Sequence, residues 1–246
     1  MLHGIYGRGR NWQAIARALV SRRPEYACWL VDLPYHGDSP AARHGDGMAG
    51  LAGDLDAWLR AEAIDPDAVL GHSLGGKVAL ALAGTRREPA MQVWVIDSTP
   101  EVKPPSGSAW DMLQIVRRMP ARFVSRDAAI EAIVDGGFSL GVAQWMATNL
   151  ARDGDAFVWR LDFDRMEQLL HDFFAADLWP VVEDAGTPHV LHFVKATRSS
   201  AMSDAAASRI RALQGPRVQF HEREGGHWIH AEAPDVVTDL LAEHLP

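Results

Sequence analysis

Hydrophobic and polar positions in this chain follow two periods that take turns. From Asn11 to Val20, the residues Trp12, Ile15, Ala16 and Leu19 recur on one helical face, the spacing of an amphipathic helix. Tyr26 to Leu33 is an apolar run closed by the turn-rich Asp32-Leu33-Pro34-Tyr35-His36-Gly37-Asp38-Ser39-Pro40, which predicts a strand and its ending. Leu51, Leu55, Trp58 and Leu59 mark a second amphipathic helix, Ala68-Val69-Leu70 a short strand, Lys77 to Ala83 a helix start, and Met91 to Ile96 another strand. Strands alternating with helices imply a mostly parallel sheet with helices on both faces, an α/β architecture.

The rhythm breaks at Thr99-Pro100. Residues 101–186 offer no good strand, only helix-length segments rich in Trp, Met and Phe. In one of them, Asp164 to Phe174, Asp164 can cap, and Met166, Leu169, Leu170, Phe173 and Phe174 form one stripe. The alternation resumes with a strand at His189 to Lys195, a helix near Ser203 to Leu213 and a strand at Arg217 to His221. A last helix starts at Pro234, a favoured first-turn residue, and buries Val236, Val237, Leu240, Leu241 and Leu245. The pattern reads as a sheet core over residues 1–100 and 187–246 with a helical insertion over 101–186.

Composition narrows the functional classes. A net charge of -8 argues against a nucleic-acid or anionic-membrane surface. The single cysteine, Cys28, sits in an apolar run and reads as a small buried hydrophobe. The N-terminus has no signal-like region and no stretch approaches the roughly 18 apolar residues of a membrane span, so a cytoplasmic placement is expected.

The chemistry gathers at Val69 to Gly76. Gly71-His72-Ser73-Leu74-Gly75 fits the pattern in which a serine occupies a strained strand-to-helix turn and small neighbours let the two elements approach. A serine hydroxyl needs a base to remove its proton, and the base needs an orienting partner. His227, in Gly225-Gly226-His227-Trp228 between the last strand and the last helix, is the best-placed base. His221, His230 and His244 are less well placed.

Together with His3-Gly4 near the start and the Asp32 to Ser39 turn, these residues make the chain resemble the α/β-hydrolase family over nearly its full length. The Gly-His-Ser-Leu-Gly-Gly-Lys elbow and the Val-Ile-Asp-Ser-Thr-Pro that follows resemble the small bacterial esterases and acyl-thioesterases of that family. The resemblance implies an acid after the strand that follows the lid, yet Lys195-Ala196-Thr197-Arg198-Ser199-Ser200 holds no carboxylate there. Asp204 is nearest and reads as a first-turn helix residue. The family's other position is the end of the strand after the nucleophile helix, which here is Asp97, and Asp97 is the expected acid. The resemblance also places oxyanion donors on the backbone of Leu74 and Ile5.

The family's full chain has strands before His3-Gly4, where this one has only Met1 and Leu2, so its N-terminal strands are expected to be missing or shortened. The Asp32 to Ser39 segment, although it carries His36 and Asp38, reads as a structural turn, and no metal-ligand spacing appears elsewhere. The expectation is a serine hydrolase of small-molecule carboxylic esters or acyl thioesters without cofactor or metal: Ser73 nucleophile, His227 base, Asp97 orienting acid. Tyr6, His72, Trp145 and Trp228 are candidate pocket residues. The lid's Trp110, Met112, Phe138, Met146, Phe157 and Trp159 could line an acyl pocket, although most should form the lid's own core. Carbon–carbon bond hydrolysis on the same triad, or a silent binding protein on the same scaffold, are the alternatives.

Overall fold

The computed structural model describes residues 1–246. The chain opens with Leu2, which bridges Gly71 on one side and Val31 on the other. A 3-10 turn, Gly9–Trp12, leads into α1 (Gln13–Arg22), followed by α2 (Met48–Ala61), β1 (Ala68–His72), α3 (Leu74–Thr85) and β2 (Gln92–Ile96). The insertion comprises α4 (Ser108–Val116), β3 (Arg122–Phe123), α5 (Arg126–Asp135), α6 (Leu140–Ala147), β4 (Leu150–Asp153), β5 (Ala156–Trp159), α7 (Phe163–Ala175) and α8 (Trp179–Glu183). The chain returns through β6 (Val190–Ala196), α9 (Asp204–Ala212), β7 (Val218–Arg223), the short α10 (Ile229–Glu232) and α11 (Pro234–His244).

The main sheet runs β1-β2-β6-β7, every pair parallel. Its side chains alternate between two cores, as the pleat requires. Val69, Val93, Val95, Leu191 and Phe193 face the larger core, shared with α2, α3 and the insertion. Leu70, Trp94, Ile96 and Val194 face Ile15 and Leu19 of α1 and Val237, Leu240 and Leu241 of α11. Helices therefore cover both faces, as the alternating pattern requires. No helix is long and apolar enough to cross a membrane.

Three expectations need correction. Tyr26 to Leu33 forms no strand, only the bridge from Val31 to Leu2. Leu2 meets Val31 in a single bridge, and one bridge is not a ladder. The insertion is not purely helical, because β3, β5 and β4 form a small antiparallel sheet. Its hairpin turns through Gly154-Asp155, with Gly154 at φ +62°, a left-handed conformation that glycine adopts without a steric penalty. The cap of α7 is Asp162, whose Oδ1 accepts the N–H groups of Asp164 and Arg165 at 3.0 and 3.1 Å. Asp164 instead pairs with Arg117 at 2.7 Å. The stripe from Met166 to Phe174 is buried as its spacing requires.

Candidate active site

Ser73 stands between β1 and α3 at φ 50°, ψ -112°, a conformation that costs an L-residue about 1–3 kcal/mol. The surroundings hold it there: its N–H donates to the Ile96 carbonyl at 3.0 Å, and its carbonyl accepts the Gly76 N–H at 2.9 Å. A Cβ on Gly71 would fall 2.0 Å from the Gly75 carbonyl oxygen, so only glycine lets strand and helix meet this closely. A Cβ on Gly4 would fall 2.7 Å from His72 Nδ1 and 3.4 Å from Ser73 Cβ, which puts the His3-Gly4-Ile5 loop against Ser73. His3 anchors that loop by accepting the Leu33 N–H on Nε2 at 2.9 Å.

Asp97 follows β2 at φ 44° with no exposed surface. Its carboxylate meets donors on both oxygens. Oδ1 accepts the Ala196 N–H at 3.0 Å, while Oδ2 accepts the Ser199 hydroxyl at 2.5 Å and His227 Nδ1–H at 2.7 Å. With its Nδ1 proton committed to a carboxylate, His227 keeps a lone pair on Nε2, the tautomer a general base needs. Ser73 and His227 line one cavity of about 370 Å³. No hydrogen bond joins Ser73 Oγ to the imidazole, a contact that commonly tightens only with substrate in place. A larger cavity, about 640 Å³, lies between α2 and residues 29–44 and contains none of these groups.

The structure also sorts the other expected residues. The Leu74 and Ile5 amides donate to no other group of the chain. Trp228 and Phe138 line the cavity, but Tyr6, His72 and Trp145 do not. Tyr6 is a strut, its hydroxyl donating to the Ala109 carbonyl at 2.9 Å and its own carbonyl accepting Asn149 Nδ2–H at 2.8 Å. His72 is buried and holds the loop that carries His227, its Nε2 meeting the His227 carbonyl at 2.7 Å. Burial, followed by the neighbouring His230 and His227, pushes its pKa well below the ordinary value, so it stays neutral. Trp145 packs behind Trp228, ring centres 6.0 Å apart. Met112 and Met146 are fully buried in the larger core.

Asp204 takes the first turn of α9 beside its cap Ser203. His221 and His244 gather with His192 around Trp94, and His230 packs against His72 and Trp12. The Asp32 to Ser39 segment is a closed turn in which Asp32 accepts the Gly9 N–H at 2.7 Å and Ser39 Oγ donates to the Asp32 carbonyl at 2.7 Å.

Sequence reasoning missed Ser199, Asn149 and Lys77. Ser199 had a signal in the turn that lacked its carboxylate. Lys77 had one as the single charge in an otherwise apolar helix. Asn149 had none.

The alpha/beta hydrolase family model matches residues 1–240. The mouse sn-1-specific diacylglycerol lipase ABHD11 is 29% identical over 255 residues, covering 98% of this chain and 80% of that protein. The Escherichia coli esterase YbfF is 27% identical over 262 residues, covering all of this chain (100%) and 91% of that protein. A marine microorganism esterase of solved structure shares the fold at a TM-score of 0.85 and 21% identity, over 99% of this chain and 93% of that one. The chain belongs to the alpha/beta hydrolase family.

Proposed function

We propose that the chain is a serine hydrolase that cleaves carboxylic esters or acyl thioesters through an acyl-enzyme on Ser73. The observation that carries this reading is the contact of His227 with the buried Asp97, 2.7 Å apart, with His227 and Ser73 lining one cavity. The names of the mouse lipase and the Escherichia coli esterase add support for ester bonds as the target. The insertion, residues 101–186, acts as the lid over the site.

In the first half-reaction Ser73 Oγ attacks the carbonyl carbon while His227 Nε2 takes its proton. The oxyanion that develops rests on the amides of Leu74 and Ile5, which have no other partner. Collapse breaks the bond to the leaving alkoxide or thiolate, and His227 returns the proton to it. Water then attacks the acyl carbonyl, giving a proton to His227. The second collapse releases the acid and restores the Ser73 hydroxyl.

Hydrolysis of p-nitrophenyl esters from acetyl to long acyl, by wild type and Ser73→Ala, tests this. The variant should lose at least about 10³-fold in kcat/KM, and a serine-directed fluorophosphonate should label wild type only. Turnover that survives Ser73→Ala would sink the assignment.

A further inference from the structure

The cavity at Ser73 is lined by two cations and one carboxylate. Two cations, Lys103 and Arg198, line it in a protein of net charge -8. Lys103 Nζ donates to the carbonyls of Ser200 at 3.0 Å and Ala201 at 3.4 Å. No carboxylate lies within ion-pairing distance of it. A half-buried ammonium satisfied by dipoles alone keeps an unneutralised charge. Burial accordingly pulls its pKa below the ordinary value, against the opposing pull of Glu101 and Asp97. Arg198 does have an acid, Glu224 at 2.7 Å, but that side chain is 86% exposed, and such a pair gives way easily to a better anion.

The one carboxylate on the wall, Glu232, accepts the N–H of another wall residue, Gly226, at 2.9 Å, and the two cations outnumber it. The remaining wall is divided. Ser106, Ser108 and Ser200 supply hydroxyls, while Phe138, Leu170 and Phe173 supply an apolar side. Such a cavity fits a molecule with hydrocarbon at one end and an anion at the other.

We propose that this site selects esters bearing a carboxylate or phosphate away from the scissile bond, with Lys103 as the main recognition group and Arg198 as its second. The inference rests on the hydrolase reading above and narrows its substrate class. Guanidinium and ammonium groups both recognise carboxylate and phosphate oxygens through charge-assisted hydrogen bonds, so the two anions share one chemistry.

Paired esters separate the possibilities. p-Nitrophenyl hexanoate against mono-p-nitrophenyl adipate places a carboxylate on the acyl side. Monobutyrylglycerol against its phosphate ester places an anion on the alcohol side. Wild type should favour the charged member of at least one pair by about tenfold or more in kcat/KM, and the pair that responds identifies the side. The charged-to-neutral ratio should fall about tenfold in Lys103→Gln, fall less in Arg198→Gln, and survive in Lys103→Arg. Raising salt should also lower it in wild type, a readout that needs no variant to fold. Neutral preference in both pairs, or a ratio unmoved by Lys103→Gln and by salt, would overturn the inference. If Ser73 is labelled by a fluorophosphonate while neutral esters are preferred, only this inference falls. If no ester is turned over and Ser73 stays unlabelled, the hydrolase reading falls and takes this with it.

Discussion

Ser199 stands in the turn after β6 where the family resemblance implied a carboxylate, and it donates its hydroxyl to the carboxylate supplied by the neighbouring strand. The register explains why either strand end can serve. Ile96 of β2 pairs with Val194 of β6, and the Asp97 N–H donates to the Val194 carbonyl at 2.7 Å, so the two ends reach the same point below His227. The β6 end answers Asp97 with the Ala196 N–H and the Ser199 hydroxyl. Ser199→Ala removes one charge-assisted bond, worth about 1.5–3 kcal/mol, from the oxygen that orients the imidazole. Its effect should be a fall of about tenfold or more in kcat with KM little changed, and Ser199→Thr should recover much of the loss. A KM effect with kcat intact would mean that Ser199 contacts substrate and does not position the acid.

At the scale of elements, α3 ties Ser73 to the insertion. Every residue from Leu74 to Ala83 is buried, Lys77 included. The Lys77 ammonium donates to the carbonyls of Glu101, Phe173 and Ala176 at 2.7 to 2.8 Å and lies 4.7 Å from the centre of the Phe173 ring. It thereby joins the chain entering the insertion to the C-terminal end of α7. Burial lowers its pKa from 10.5 to about 7, with Glu101 opposing the fall. Between those values the unfolded chain binds a proton that the native state does not, so stability from this group rises with pH. Urea unfolding of wild type and Lys77→Met should show wild type gaining on the variant from about pH 7 to 10.5, with the gain lost as pH falls through about 7. A flat difference would show that Lys77 keeps an ordinary pKa, and one of opposite slope that its pKa is raised; either overturns the prediction.

The same elements show what the sequence could disclose. Ser73, His227 and Asp97 were legible because each follows a strand end or precedes a helix, and strand and helix periods were clear around them. The Tyr26 to Leu33 run looked like a strand because its composition is right, but a ladder needs a partner and composition does not report one. The β4–β5 hairpin was hidden by its length. Strands of four residues give too few alternations to read, and the Asp153-Gly154 turn signal was the only trace. Tyr6 and His72 were expected in the pocket, and neither lines it. Their orientation, toward Ala109 and the His227 carbonyl, depends on long-range packing that no local pattern encodes.

At the scale of the whole molecule, the larger core decides whether the insertion is a separate unit. It runs without interruption from Val78 and Leu80 of α3 through Met112 and Leu113 of α4 to Met166 and Leu169 of α7. A small cluster of Phe123, Ala129, Ala147 and Leu150 stands apart inside the insertion. A shared core means that neither part can lose its packing without exposing apolar surface of the other, so unfolding should be one cooperative transition. The tryptophans make this measurable, since Trp110, Trp145, Trp159 and Trp179 lie in the insertion, Trp94 lies in β2 and Trp12 packs in the same core cluster as Trp94. Fluorescence and far-ultraviolet dichroism should trace coincident urea curves. Met166 is fully buried, and Met166→Ala should cost about 2–5 kcal/mol, moving both curves by the same amount although the change lies in the insertion. An early fluorescence transition that leaves the dichroism of the sheet and its helices in place, with Met166→Ala shifting only that first step, would show that the insertion melts by itself and that the continuous core does not couple it to the sheet.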